Sequence, residues 1–316
     1  MPELPEVESA RVYVLNYIKN KKITQVNFPV GFDDIIMKGC DDEKSLLKAL
    51  QNQRVVNIGR KGKQMFMEFD KSDTHVLVHF GMTGSFLIQG GKVPQYKSFK
   101  VDTTEWPPRF TKIELIFDDN TKLAYCDPRR LGKIQLRTLA LKSEPINKLA
   151  IDPLIESHLI TADYLYDTLS KFTAPLKAVL LDQEKVVCGI GNWVADEVCY
   201  QSNIHPSSSC SNIDEILCIT LANTIKNVIK TAVNCLNNDK EFPKDWLFHY
   251  RWNKKKSSKS TMPNGDNITF VTCGGRTSAV VIKTQKLITS SKKVKSESST
   301  TSTTQINKTI KRKRKD

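Results

Sequence analysis

The chain has 316 residues, 39% of them hydrophobic, with 48 Lys and Arg against 34 Asp and Glu and a formal charge of +14. Length and apolar content predict two domains with real cores, while the lack of a signal-peptide pattern or an unbroken apolar run near the ~18 residues of a membrane span predicts a soluble, unsecreted chain with no membrane partner. Eight cysteines scattered without a C-x-x-C pair argue against a zinc site and a disulfide framework, and the positive charge points to nucleic acid before an acidic protein or a membrane surface.

The chain opens Met1-Pro2-Glu3-Leu4-Pro5-Glu6-Val7-Glu8. A small second residue such as Pro2 permits removal of Met1, which leaves a secondary amine at the start. While Met1 remains, that nitrogen is an amide and silent. An α-amino group ionises near pH ~7.7–8.0, so part of it is an uncharged nucleophile at neutral pH, able to attack electrophilic carbon and form a Schiff base. Glu3 stands beside it as a proton carrier. The same residues also suit a plain helix start, with proline in the first turn and glutamates at the positive end of the dipole. From Glu6 to Lys19, the apolar residues Val7, Ala10, Val14, Leu15 and Ile18 fall on one stripe and predict an amphipathic helix. Its N-terminal end would lower the amine pKa, and Glu3 and Glu6 would raise it.

Residues 23–140 read mostly as strands, at 23–28, 54–58, 64–69, 74–80, 84–89, 111–117, 121–126 and 133–137, with a helical interlude at 43–52. Many short strands with few helices predict a β-sandwich or barrel. His75 and His79 fall within a strand, where a spacing of four holds them apart and disfavours a shared metal. Three loops are unusual. Gly59-Arg60-Lys61-Gly62-Lys63 is a basic, glycine-flanked turn suited to a phosphate, with Lys63 at its tip. Gly81-Met82-Thr83-Gly84 and Asp127-Pro128-Arg129-Arg130-Leu131-Gly132 each place a large side chain on a turn, as minor-groove proteins do to unstack bases. Each loop alone also suits a solvated turn; the three together in a basic half favour DNA.

Beyond about residue 145 the pattern is helical. Thr161 caps a helix to Lys171, Thr173-Ala174-Pro175 opens one to Asp182, and a long helix runs from Asp214 to Leu236. Between them, Gly189-Ile190-Gly191-Asn192 makes a tight turn with Asn192 at the cap of a helix to Ser202, a natural phosphate seat. Ile268–Thr272 and Ala279–Ile282 are strands about the turn Gly274-Gly275-Arg276, which holds an arginine at an exposed tip. Residues 289–316 carry seven lysines and two arginines against Glu297 and Asp316, a balance of +7 in a Ser/Thr/Lys-rich tail expected to be disordered.

Taken in order, Pro2–Glu8, Arg60–Lys63, His79–Gly84, Asp127–Gly132, Gly189–Glu197, Ile204-His205-Pro206 and Gly275-Arg276-Thr277 resemble the formamidopyrimidine-DNA glycosylases, bifunctional enzymes of base-excision repair. The resemblance spans residues 2 to about 288. It implies an α+β architecture: N-terminal helix and β-sandwich at 1–145, a helix–two-turn–helix domain at 146–252, a linker and finger hairpin at 253–288, and the basic tail. It also implies that mature Pro2 attacks C1′ of a damaged nucleotide, that Glu3 moves protons at the sugar, and that Glu6 orders the N-terminus. Lys63, His79, Asn192 and Arg276 match the family's phosphate-gripping residues; Met82, Arg129 and Leu131 match the trio that fills the gap left by a flipped nucleotide. The implied partner is damaged double-stranded DNA, bound by a monomer with no cofactor and no metal.

Three departures narrow the expectation. The hairpin keeps only Cys273 of four zinc cysteines, so a zinc-less finger of the plant and fungal kind is expected. Leu131 stands where phenylalanine is common, which would relax the choice of opposite base. Asn253–Asn267 does not resemble the loop that closes over 8-oxoguanine, which sets formamidopyrimidines, further-oxidised guanine lesions and abasic sites ahead of 8-oxoguanine. The pentamer Lys311–Lys315 suits a nuclear address, a DNA tether or a solvated end. The competing readings are a non-catalytic DNA-binding protein on the same scaffold and a lyase that processes abasic sites with little base excision.

Overall fold

The computed structural model describes residues 2–92, 104–252 and 260–289. The basic tail from residue 290 and positions 253–259 of the lysine- and serine-rich stretch therefore lie outside the described residues. The first helix, α1 (Leu4–Ile18), begins two residues before the periodicity predicts. Pro5 in its first turn has no N–H to satisfy, and Glu3 in extended backbone is its cap residue. The buried stripe of α1 is divided. Leu4 packs into the core of the helical half, whereas Val7, Ala10, Val14 and Ile18 pack into that of the strand-rich half. One helix thus serves both cores.

The strand-rich half is a sandwich and not a barrel. Its elements are β1 (Ile23–Asn27), α2 (Glu43–Leu50), β2 (Val55–Lys61), β3 (Gln64–Phe69), β4 (Ser72–His79), β5 (Ser85–Ile88), β6 (Thr111–Phe117), β7 (Lys122–Cys126) and β8 (Lys133–Thr138). They form two antiparallel four-stranded sheets, ordered β1-β6-β7-β5 and β2-β3-β4-β8. Inward residues from both sheets, among them Ile58, Met67, Val78, Phe86, Leu115 and Tyr125, form one apolar core. The predicted strand at 54–58 continues to Lys61, so Arg60 belongs to β2 and the turn to β3 is only Gly62-Lys63. Gly62 takes a φ of +57° there, in the left-handed region.

The helical half contains α3 (Ala162–Leu169), α4 (Leu176–Leu181), α5 (Asn192–Gln201) and α6 (Glu215–Asn237). Thr161 caps α3 by accepting from Tyr164 N at 3.0 Å, and Asp214 caps α6 by accepting from Leu217 N at 2.9 Å. By length and mean hydropathy α6 could cross a membrane, but half of its apolar window is buried inside the protein as the central core helix. The last strands, β9 (Ile268–Cys273) and β10 (Arg276–Val281), pair with Cys273 opposite Arg276. Gly274 and Gly275 between them both have positive φ, +58° and +70°, as a two-residue hairpin turn of this hand requires. Arg276 is therefore the first residue of β10, one position after the predicted tip. The hairpin rests on a small third core of Leu247, Met262, Ile268, Ala279 and Val281.

Candidate active site and DNA interface

Two helix N-termini converge on Glu3. Its side chain, 2% exposed, enters the first turn of α5. Oε2 accepts from Gly191 N at 2.8 Å and Val194 N at 3.1 Å, and Oε1 accepts from Trp193 N at 2.9 Å. The turn expected to seat a phosphate is thus filled by a carboxylate of the chain itself, and Asn192 is the first residue of α5, with Gly191 at the cap. Sequence reasoning missed this because nothing local joins position 3 to position 191. The glycines carry the signal once the fold is known. A Cβ on Gly191 would lie 2.3 Å from Glu3 Cδ, and one on Gly189 would lie 2.5 Å from Leu4 Cδ1. They make room for the N-terminus. Leu4 N donates to Gly189 O at 3.1 Å and completes the junction beside buried Pro2.

Burial raises the Glu3 pKa, against the opposing pull of the Lys63 charge and the N–H groups of Trp193 and Val194. Glu6 accepts Glu3 N on one oxygen, at 3.0 Å, and Trp193 Nε1 on the other, also at 3.0 Å. Burial first, and the charge of Glu3 second, push Glu6 up to about 8. Glu6 can therefore hold a proton near neutral pH beside the start of the chain. A groove of about 590 Å³ opens beside Glu6, with Ser9, Tyr13, Asn16, Asp239 and Lys240 among its walls.

Lys63, 9% exposed, donates to Ile190 O at 2.7 Å. Burial lowers its pKa and the Glu3 charge opposes that shift. One bond leaves two of its three N–H donors for an anion. Arg60, expected in the same basic turn, has a different task. Its guanidinium, 1% exposed, bonds Glu8 of α1 at 2.8 Å and Asp152 of the helical half at 2.6 Å. Asp152 also accepts Gly62 N at 2.7 Å and Leu154 N at 2.9 Å. The turn that carries Lys63 is thereby locked to both halves of the protein.

His79 ends β4 opposite Lys133 of β8. Its Nδ1 accepts Gly81 N at 3.1 Å, so the neutral ring carries its proton on Nε2, free to donate. Burial, then the charges of Lys63 and Lys133, hold its pKa near 4. A histidine pKa depressed on folding contributes stability that is complete above pH ~6.5 and lost as pH falls toward 4. His79 should take up to about 3 kcal/mol from the unfolding free energy over that window, against the opposite-signed contribution of Glu6, whose pKa is raised, and His79→Gln should remove the His79 share of the profile. Equal slopes in urea titrations of the two proteins would refute the assignment.

The two apolar turns are neighbours. A Cβ on Gly81 would lie 2.3 Å from the Leu131 carbonyl carbon, so only glycine lets the loops touch. Buried Asp127 ties them: Oδ1 accepts Thr83 Oγ1 at 2.6 Å and Arg129 N at 3.2 Å, while Oδ2 accepts Leu131 N at 2.9 Å and Gly132 N at 2.7 Å. Met82 and Leu131 remain 37% and 46% exposed, large apolar tips on a rigid base. Arg130 is held by Asp33 at 2.8 Å. Arg129 is exposed, and its guanidinium has no hydrogen bond or ion pair among the described residues.

At the other wall, Asn192 Nδ2 donates to Thr277 O at 3.3 Å, next to exposed Arg276. The Arg276 charge reaches Lys63 and lowers its pKa further. The structure therefore gathers His79 and Arg276 about Lys63, which itself faces Glu3, with Lys133 beside His79 as a cation not singled out in the sequence. Cys273 is buried with Sγ donating to Pro206 O at 3.2 Å, and no group of three His, Cys, Asp or Glu among the described residues could hold a metal.

Two family profiles match this chain: the formamidopyrimidine-DNA glycosylase N-terminal domain over residues 1–134, and the formamidopyrimidine-DNA glycosylase H2TH domain over 149–241. A formamidopyrimidine-DNA glycosylase of Arabidopsis thaliana is 37% identical over 91% of this chain and 71% of its own length. One from Bacillus subtilis is 28% identical over 87% and 96%. Among solved structures, Lactococcus lactis formamidopyrimidine-DNA glycosylase on DNA with an AP site aligns with a TM-score of 0.71 at 20% identity, over 90% of this chain and 99% of that one. Its complex with Fapy-dG DNA aligns at 0.72 and 21%, over 90% and 100%.

Proposed function

Because the chain belongs to the formamidopyrimidine-DNA glycosylase family, we propose that the convergence of α1 and α5 on Glu3 is its reaction centre, with mature Pro2 as nucleophile. The protein is a DNA glycosylase with AP lyase activity that removes oxidised purines in base-excision repair, and damaged DNA is its partner. In the proposed reaction the Pro2 nitrogen bonds to C1′ as the glycosidic bond breaks, and the bonding pair leaves with the base. The amine then sheds its proton and its lone pair forms the C=N⁺ bond as the C1′–O4′ bond breaks, with O4′ taking the released pair and a proton. The iminium draws electrons from the opened sugar, a sugar proton departs, and β- then δ-elimination releases both phosphates. Glu3 supplies and removes protons at the sugar. The observation that carries this reading is the placement of Glu3, fixed by three N–H groups and facing the Lys63 charge.

Lys63, His79, Asn192 and Arg276 hold the phosphates around the lesion, and Met82, Arg129 and Leu131 occupy the gap left by the flipped nucleotide. Formamidopyrimidines, further-oxidised guanine lesions and abasic sites rank ahead of 8-oxoguanine as substrates. The protein works at DNA inside the cell, and the pentamer at 311–315 sends it to the nucleus; deleting that pentamer from a fluorescent fusion should redistribute it.

Borohydride trapping tests the chemistry. Mature protein mixed with an abasic-site duplex should yield a covalent adduct on the N-terminal peptide. Pro2→Gly should slow its formation and spare binding, since glycine keeps an amine but not proline's fixed ring. No adduct from mature protein would sink the catalytic reading, and adduct with abasic DNA but with no oxidised base would leave only a lyase.

A further inference from the structure

The hairpin that presents Arg276 has only two strands and a small apolar base, which by themselves hold orientation poorly. Under it lies a buried ionic cluster unused by the chemistry above. Lys177 of α4 is fully buried, and its three donors reach Asp196 Oδ1 at 2.5 Å, Ser278 Oγ at 2.7 Å and Thr277 O at 3.1 Å. Asp196 of α5, 1% exposed, turns its other oxygen to Arg251 Nη2 at 2.7 Å, Arg251 Nε at 3.1 Å and Ala279 N at 3.2 Å. Arg251 Nη2 also donates to Asn192 O at 3.4 Å.

We propose that Asp196, with Lys177 and Arg251, is a positioning cluster that pins β10 to the start of α5 and so aims Arg276 and Asn192 at one DNA phosphate. Thr277 O is the junction. It accepts from Lys177 on one side and Asn192 Nδ2 on the other, one residue after Arg276. Apolar side chains would fill the same space at less desolvation cost. What the ions add is a fixed register, because every donor of Lys177 is committed to a specific oxygen. One carboxylate between two cations also leaves a net positive charge beneath the proposed phosphate position, which favours the anion.

The inference rests on the proposed DNA contact of Arg276, and the test separates the two. Full-length Asp196→Asn, Arg276→Ala and the double variant are titrated with an abasic-site duplex at several salt concentrations, and single-turnover borohydride trapping is run at saturating DNA. Asp196→Asn should weaken binding by about tenfold and reduce the log–log salt slope by about 0.9, one phosphate, as Arg276→Ala does. The double variant should bind worse than Arg276→Ala only by what the Asn192 contact adds, well short of the product of the two losses, and trapping at saturation should stay within about twofold, consistent with an effect on positioning alone. Full multiplication of the two losses, or an unchanged slope in Asp196→Asn, overturns the pin. If Arg276→Ala itself leaves binding and slope intact, the hairpin contact fails and the pin with it. Should Asp196→Asn not fold, Ser278→Ala removes a single bond from Lys177 and should shift affinity and slope in the same direction, by about threefold in affinity; no shift overturns the proposal.

Discussion

Glu3→Gln is expected to reduce single-turnover cleavage of an abasic-site duplex by about 10²–10⁴-fold, the usual contribution of a positioned acid–base group. The isostere keeps the shape of the side chain but cannot exchange a proton at neutral pH. It also turns an NH₂ toward N–H groups of Gly191, Trp193 or Val194, which now bond carboxylate oxygens at 2.8–3.1 Å. Leaving one such donor unsatisfied costs about 1–3 kcal/mol, so the thermal midpoint should drop modestly while the protein stays folded. Rate, binding and melting must be read together. Lost cleavage with retained affinity supports the proton-transfer role, whereas near wild-type cleavage would remove Glu3 from the mechanism and leave it a cap.

The second large effect is on stability. Asp152→Ala should destabilise the protein by about 3–5 kcal/mol, because it strips a buried guanidinium of one of its two carboxylates. Arg60 would keep Glu8 but lose the 2.6 Å bond to Asp152, and Gly62 N and Leu154 N would lose their acceptor. Chemical denaturation should show this as a lower midpoint. Lys63 sits one residue beyond Gly62, so the affinity for abasic-site DNA should fall too. A midpoint within ~1 kcal/mol of wild type would mean that water or Glu8 fully replaces Asp152, and would contradict the lock.

Local patterns announced most elements. Thr161 and Asp214 cap helices as their residue types predict, and the two glycines of the hairpin turn were readable as such. What escaped were partnerships between distant positions. Arg60 read only as part of a basic turn that presents Lys63, yet its side chain points into the interior, toward carboxylates at positions 8 and 152. The glycines at 189 and 191 looked like an anion seat, and they are one, for an anion 188 residues upstream. Periodicity reports which face of an element is buried, and motif spacing reports local geometry. Neither reports which charge a buried charge will meet, which is settled only when the halves pack.

That packing bears on how the protein is made. Synthesis yields Pro2 and Glu3 first and the α5 donors that hold Glu3 nearly 190 residues later, at Gly191, Trp193 and Val194. A chain halted on the ribosome at the end of the β-sandwich would carry the proposed nucleophile but no seat for Glu3. Under the proposed mechanism such a truncated product should not cleave abasic-site DNA, and competence should arrive in one step, when the second half closes on the first.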